Sequence, residues 1–325
     1  MKPLMNGKSV TVFCCAFFLF LFNSCSAVKD FTANETNTFS SFDPEIRIMV
    51  NSPKEFERSK PSLLIVYALP NGNTIEMTAG KKLKSGDDWH YDIQHIAAQT
   101  RFLRNTLKEF TIHIAYLESA QKSWPSWRKK YNDGEIARIV DRVRSETGNP
   151  VSVILSGHSG GGSFITGFIN AYDTIPGYIT RIAYLDANYS YDDSLNHGMK
   201  LLQWLRSDST HHLSVIAYDD REISLNGKKV VSPTGGTYRA TQRMVKYFRE
   251  VTDIKSFQDS TIIQYECWHH RLRFLVHSNP DTLILHTVLV EKNGLIHSVL
   301  FNTAFEEKEY SFFGDRAYTN FISGE

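Results

Sequence analysis

Residues 151–172 read VSVILSGHSGGGSFITGFINAY. The first five, Val151 to Leu155, are apolar and β-branched enough for a buried strand, and Ser163 to Tyr172 is an apolar helix. Between them lies Gly157-His158-Ser159-Gly160-Gly161, a turn with no room for the usual spacer residues. A serine at a strand-to-helix turn this sharp takes a strained backbone, and glycines two residues before and after it let the chain fold back without Cβ clashes. The Ser159 hydroxyl is thereby lifted above the sheet, with a helix N-terminus behind it that favours developing negative charge. A phosphate-cradling loop would need a lysine after its last glycine, and here the run continues Gly162-Ser163-Phe164.

Outward from this turn, short apolar runs alternate with segments of helical period, and no internal repeat is evident. Pro44 to Val50 predicts an outer strand, and Ser62 to Leu69, SLLIVYAL, a buried one. Further strands are expected at Phe110 to Leu117, Arg181 to Leu185, Leu213 to Tyr218 and Thr282 to Val290. Helices are expected near Asp92 to Leu107, after the cap Asp133 and up to Gly148, near Gly198 to Arg206 and near Arg239 to Glu250. Alternating strands and helices imply an α/β class: a mostly parallel central sheet with helices on both faces, as one domain over residues 44–325.

The glycine-flanked serine between a buried strand and an apolar helix resembles the nucleophile elbow of the α/β-hydrolase superfamily, and the order of elements from Pro44 onward fits that fold. The resemblance implies a serine hydrolase of the lipase and esterase kind, with Ser159 as nucleophile and no cofactor. It also implies a histidine base after the last strand. With that strand placed at TLILHTVLV and a turn at Glu291 to Gly294, His297 has the right address, and His286 falls inside the strand. His197, His211, His212, His269, His270 and His277 are the other histidines after Ser159. Two strand ends offer the orienting acid: Asp186 in Leu185-Asp186-Ala187-Asn188 and, as the alternative, Asp220 after VIAYDD. The oxyanion hole would combine the Gly160 N–H with one from the loop Leu69 to Thr74, and Asn71 to Asn73 is favoured because Pro70 has no N–H.

Other unusual residues flank this core. Asp87 to His95 packs acids, aromatics and imidazoles into nine positions, and Asn73, Trp89 and His90 are expected to line the substrate site. The spacing of His90, Asp92 and His95 does not complete a metal site, because no second cluster of ligands joins it. Trp124, in SWPSWR beside another strand end, is the last candidate substrate contact.

The 325 residues carry a net charge of +1, with 42% hydrophobic and 22% charged residues. This is the composition of a folded globular chain with a sizeable core. Without a global field there is no basis for nucleic-acid binding. Residues 1–25 run from a basic start (Lys2, Lys8) through the apolar stretch Val10 to Phe22 to the small polar residues Asn23 to Ala27, the layout of a secretory signal. LFNSC at Leu21 to Cys25 resembles a degenerate bacterial lipobox, which implies an extracytoplasmic lipoprotein held to a membrane only by acyl chains on Cys25. Plain cleavage after Ala27 is the competing expectation. Residues 26–43 are polar and aperiodic and are expected to be a tether. Removing residues 1–24 takes away Lys2 and Lys8 and no acid, leaving −1. Cys14, Cys15 and Cys25 belong to the head, so Cys267 is the sole thiol of the globular part and no disulfide framework is available. The expected substrate is a small or glycan-linked carboxylic ester. The alternatives are a peptidase or acyltransferase using the same groups, or a surface ligand-binding lipoprotein that has lost turnover.

Overall fold

The computed structural model describes residues 31–57 and 59–324, so the signal, the lipobox and Cys25 lie outside the described residues. Strands β1 (Glu35–Phe42), β2 (Ile46–Pro53), β3 (Ser62–Ala68), β4 (Thr111–Ser119), β5 (Ser152–His158), β6 (Ile179–Leu185) and β7 (His212–Tyr218) are followed by the small hairpin β8 (Ser224–Leu225) and β9 (Lys228–Lys229). Three more strands come late in the chain: β10 (Lys255–Gln258), β11 (Ile262–Cys267) and β12 (Leu272–His277). All but the hairpin join one sheet in the order β1-β2-β4-β3-β5-β6-β7-β12-β11-β10. The six strands from β4 to β12 are parallel, and the two at each margin are antiparallel.

Helices α1 (Ile75–Ala79), α2 (Ile96–Thr106), α3 (Trp124–Lys130), α4 (Asp133–Glu146), α5 (Gly161–Asn170), α6 (His197–Ser207), α7 (Thr237–Val251), α8 (Val288–Glu291) and α9 (Gly294–Leu300) cover it. The pleat sorts the core into two halves. Leu64, Val66 and Leu155 face α4, α5, α6 and α7 through Ile139, Phe164, Leu201 and Met244. Leu63, Ile65 and Ile154 face the other way, toward Ile96, Phe102, Leu289 and Leu295 of α2, α8 and α9. Burial on both faces is why SLLIVYA and VILSGH read as unbroken runs rather than alternating ones.

Two expectations are corrected here. The stretch 26–43, expected to be a tether, contributes β1, whose ETNTFSSF sequence pairs along its whole length with β2. Its anchor is Glu35, whose carboxylate accepts Arg101 at 2.8 Å and Arg104 at 2.7 Å from the other side of β2, with all three side chains largely buried. Thr and Phe suit a half-exposed edge strand, and a polar composition conceals that when read alone. The expected strand Thr282 to Val290 does not exist either: residues 278–287 are irregular and Val288 begins α8. The sheet's late strands are β10, β11 and β12 instead. A short apolar run fits strand or buried helix equally well, and Asn279-Pro280-Asp281 ahead of it marks the end of a strand rather than a start.

Glu35→Ala should cost about 3 kcal/mol in urea unfolding, because it strands two buried guanidinium groups. A midpoint equal to wild type would show that β1 adds nothing to the domain.

Candidate active site

Ser159 sits where β5 gives way to α5, with φ of 52°, in the left-handed region that a non-glycine residue occupies only under constraint. The neighbouring glycines make that position attainable. A Cβ on Gly160 would stand 2.0 Å from Asn71 Oδ1, on Gly161 2.2 Å from the Ala68 carbonyl oxygen, and on Gly162 1.6 Å from the Ala187 carbonyl oxygen. The turn is therefore wedged between the ends of β3 and β6, and the glycines of the GHSGGG run are required by contact, with Ser159 alone in the run at positive φ. Strand order, parallel core and strained serine at the carboxyl end of a central strand coincide. The chain has an α/β-hydrolase fold.

In this α/β-hydrolase fold the carboxyl ends of β5, β6 and β7 meet above the elbow. Asp186 follows β6 directly, fully buried with φ of 47°, and its backbone N–H is held by the Ile216 carbonyl at 2.7 Å. Its Oδ1 accepts the Thr237 hydroxyl and its Oδ2 accepts Nδ1 of His286. A carboxylate only accepts, so Nδ1 carries the proton and Nε2 is left with a lone pair. His286 also lies on the elbow: its carbonyl accepts Nε2–H of His158 at 3.1 Å, and the two rings are 4.4 Å apart. Burial, and then the neighbouring His286, push His158 well below the usual histidine range, so it is a neutral prop. The Tyr189 hydroxyl stands 3.5 Å from Nδ1 of His286. Ser159 is partly exposed, and among the described residues its hydroxyl has no hydrogen-bond partner.

His297, the histidine expected to be the base, is elsewhere. It lies inside α9 at 3% exposure, with Nδ1 3.2 Å from the Tyr310 hydroxyl and its ring stacked on Phe312. Burial, then Arg273, lowers its pKa to about 3. It lines a cavity of about 410 Å³ with Arg273 and Glu306, and among the described residues none of its hydrogen bonds reaches Ser159, Asp186 or Asp220. The rule that the base follows the last central strand leads to His286 once that strand is β12; the missing signal was the Ser278 to Asp281 turn. Asp220, the alternative acid, is 2% exposed and does not touch an imidazole: its Oδ2 accepts the Thr237 N–H at 2.7 Å.

The oxyanion side can be counted bond by bond. Leu69 N–H donates to Leu117, Gly72 N–H to Lys122 and Asn73 N–H to Pro70, while Pro70 has none. Asn71 and Gly160 are among the amides of this loop and turn that have no backbone acceptor among the described residues, and the Asn71 side chain rests on Gly160. Asn73 is buried in the same loop. Trp89 is 62% exposed and stacks on His90 at 3.9 Å, on a turn capped by Asp88 and packed against α1. Trp124 does not reach the site: it is buried between Trp127 and Phe164, where the second tryptophan of SWPSWR packs with it. Among the described residues no group of three or more His, Cys, Asp or Glu could hold a metal ion, and His95 is bonded to Asp92, which also holds Arg316.

No protein-family model and no curated protein matches the chain. Solved structures with a similar fold include a thermostable esterase, at TM-score 0.46 and 12% identity over 76% of this chain and 56% of that one. Poly(aspartic acid) hydrolase-1 from Sphingomonas sp. KT-1 gives 0.42 and 14% over 67% of this chain and 86% of that one. Acetyl xylan esterase from Aspergillus awamori gives 0.42 and 11%, over 75% and 92%. The chain spans little more than half the length of the thermostable esterase.

Gly162→Ala should lower stability by about 2 kcal/mol or more, since its methyl meets a backbone carbonyl that no rotamer change can move aside. Thermal unfolding within a degree of wild type would contradict the wedge.

Proposed function

We propose that this protein is a serine hydrolase that cleaves carboxylic esters through a covalent acyl-enzyme. The observation that carries the reading is the Asp186–His286 pair lying on the elbow that presents Ser159. His286 Nε2 takes the Ser159 proton as Oγ attacks the acyl carbon. The resulting oxyanion is received by the Asn71 and Gly160 amides at the amino end of α5. His286 returns the proton to the leaving alcohol oxygen, and the ester C–O bond breaks. Water, deprotonated by the same Nε2, then attacks the acyl-enzyme, and Ser159 leaves with its proton restored. Asp186, buried and doubly bonded, fixes the imidazole tautomer and stabilises the imidazolium. A hydroxyl–imidazole contact that is open without substrate closes in the Michaelis complex.

An ester rather than an amide is the proposed substrate, and Leu283 and Ile284, exposed just before His286, with Tyr189 beside it, offer apolar contact to its acyl or alcohol part. The exposed Trp89 face suits a glycan-linked ester, since aromatic faces stack on sugar rings. Residues 1–25 would deliver the domain outside the cytoplasm, tethered by acylated Cys25.

With p-nitrophenyl acetate as substrate, Ser159→Ala and His286→Ala should each lower kcat by about 10⁴-fold or more, and Asp186→Asn by about 10³ to 10⁴. His297→Ala should stay within about threefold of wild type, provided circular dichroism shows it folded. The opposite ranking of the two histidines would overturn the assignment, and an active Ser159→Ala would overturn the serine mechanism.

A further inference from the structure

Asp220 has no imidazole to orient, yet it is buried at the carboxyl end of β7 beside Asp186. Two carboxylates this near one another repel, and a fold keeps such a pair only when other groups stabilise it. The group between them is Thr237, the first residue of the 15-residue helix α7. Its N–H donates to Asp220 Oδ2 at 2.7 Å, and its hydroxyl donates to Asp186 Oδ1 while standing 3.4 Å from Asp220 Oδ2. Gly236, at φ of 91°, passes so close that a Cβ there would lie 2.5 Å from both Asp220 oxygens. Asp220 is thus clamped against the α7 N-terminus, whose partial positive charge favours its anion. Thr237 is fully buried, and of the two carboxylates within reach its hydroxyl makes the shorter contact with Asp186.

Resting on the Asp186–His286 reading, we propose that Asp220 is a positioning residue for that pair, acting through Thr237: it anchors the Thr237 backbone so that the Thr237 hydroxyl fixes Asp186. The other titratable groups around Asp220 are Tyr189 after β6, Tyr218 in β7 and, through Asp186, His286. Asp219 is turned away into a two-pronged pair with Arg221. Burial, and then the charge of Asp186, push Asp220 up to about 6. Its Oδ1, buried without a hydrogen-bond partner among the described residues, is the oxygen that carries the proton below that pH. Above it, a second negative charge stands behind Asp186 and favours the imidazolium of His286.

The test is kcat and KM against pH, with p-nitrophenyl acetate, for wild type and folded variants. Thr237→Val should lower kcat about tenfold with KM within twofold, and Thr237→Ser should recover most of that loss, because only the hydroxyl is needed. Asp220→Asn keeps an oxygen for the Thr237 N–H and removes the charge. It should lower kcat about threefold and move the acid limb of the kcat/KM profile down by about half a pH unit. A wild-type profile for both Asp220→Asn and Thr237→Val would reduce Asp220 to a helix cap and overturn the proposal. A loss of 10³-fold in Asp220→Asn, equal to that of Asp186→Asn, would overturn it by making Asp220 the orienting acid itself. Full activity in Asp186→Asn is the separate result that removes the underlying pair.

Discussion

The wedge that holds Ser159 at positive φ is the constraint on which the rest depends. A strained residue persists only when its surroundings over-determine it, and here the segments that end β3 and follow β6 press on three successive glycines, Gly160, Gly161 and Gly162. The Ala68 carbonyl, at the end of β3, fixes Gly161, and the loop that follows β3 ends on Asn71, which rests on Gly160. The Ala187 carbonyl fixes Gly162, and the residue before it is Asp186. The contacts that force the turn therefore also hold Asp186 and Asn71 close to Ser159. A single close-packed junction aligns groups that lie far apart in sequence.

Around that junction the polar groups are arranged so that each has one task. Asp186 spends both oxygens on fixed donors, His286 and Thr237, so it holds an imidazole orientation rather than shifting between partners. His158, neutral and buried, supports His286 from below without adding charge. Asp220 answers for the position of Thr237. Electrostatic preorganisation of this kind costs little at the moment of reaction, because the dipoles are already aimed.

The central fold was legible because its signals are local: apolar runs for strands buried on both faces, a capped amphipathic period for α4, and glycines where a turn needs them. The elbow was legible, since the glycines around Ser159 are those whose Cβ the close contacts forbid. The two strand-end acids were visible, but the choice between them was not, because it rests on His286, a residue 100 positions beyond Asp186 whose place in the fold had no local signature. His286 was misplaced because the TLILHTVLV run is apolar for reasons of helix and loop packing against α2 and the sheet, which a period of two or 3.6 cannot separate over nine residues. Trp124 was misread for a related reason: a tryptophan near a strand end says that a large ring must be buried somewhere, and the direction is set by Phe164 on α5. The strand β1 was hidden by its polar composition, with its anchor Glu35 matched to arginines some 66 and 69 residues away.

The most direct test of the central claim, that His286 activates Ser159 at the elbow, is mass-spectrometric mapping of a fluorophosphonate adduct on wild type, His286→Ala and His297→Ala. The account predicts phosphonylation of Ser159 in wild type and in His297→Ala, and a loss of labelling in folded His286→Ala. Equal labelling in His286→Ala, or an unlabelled Ser159 in wild type, would contradict it.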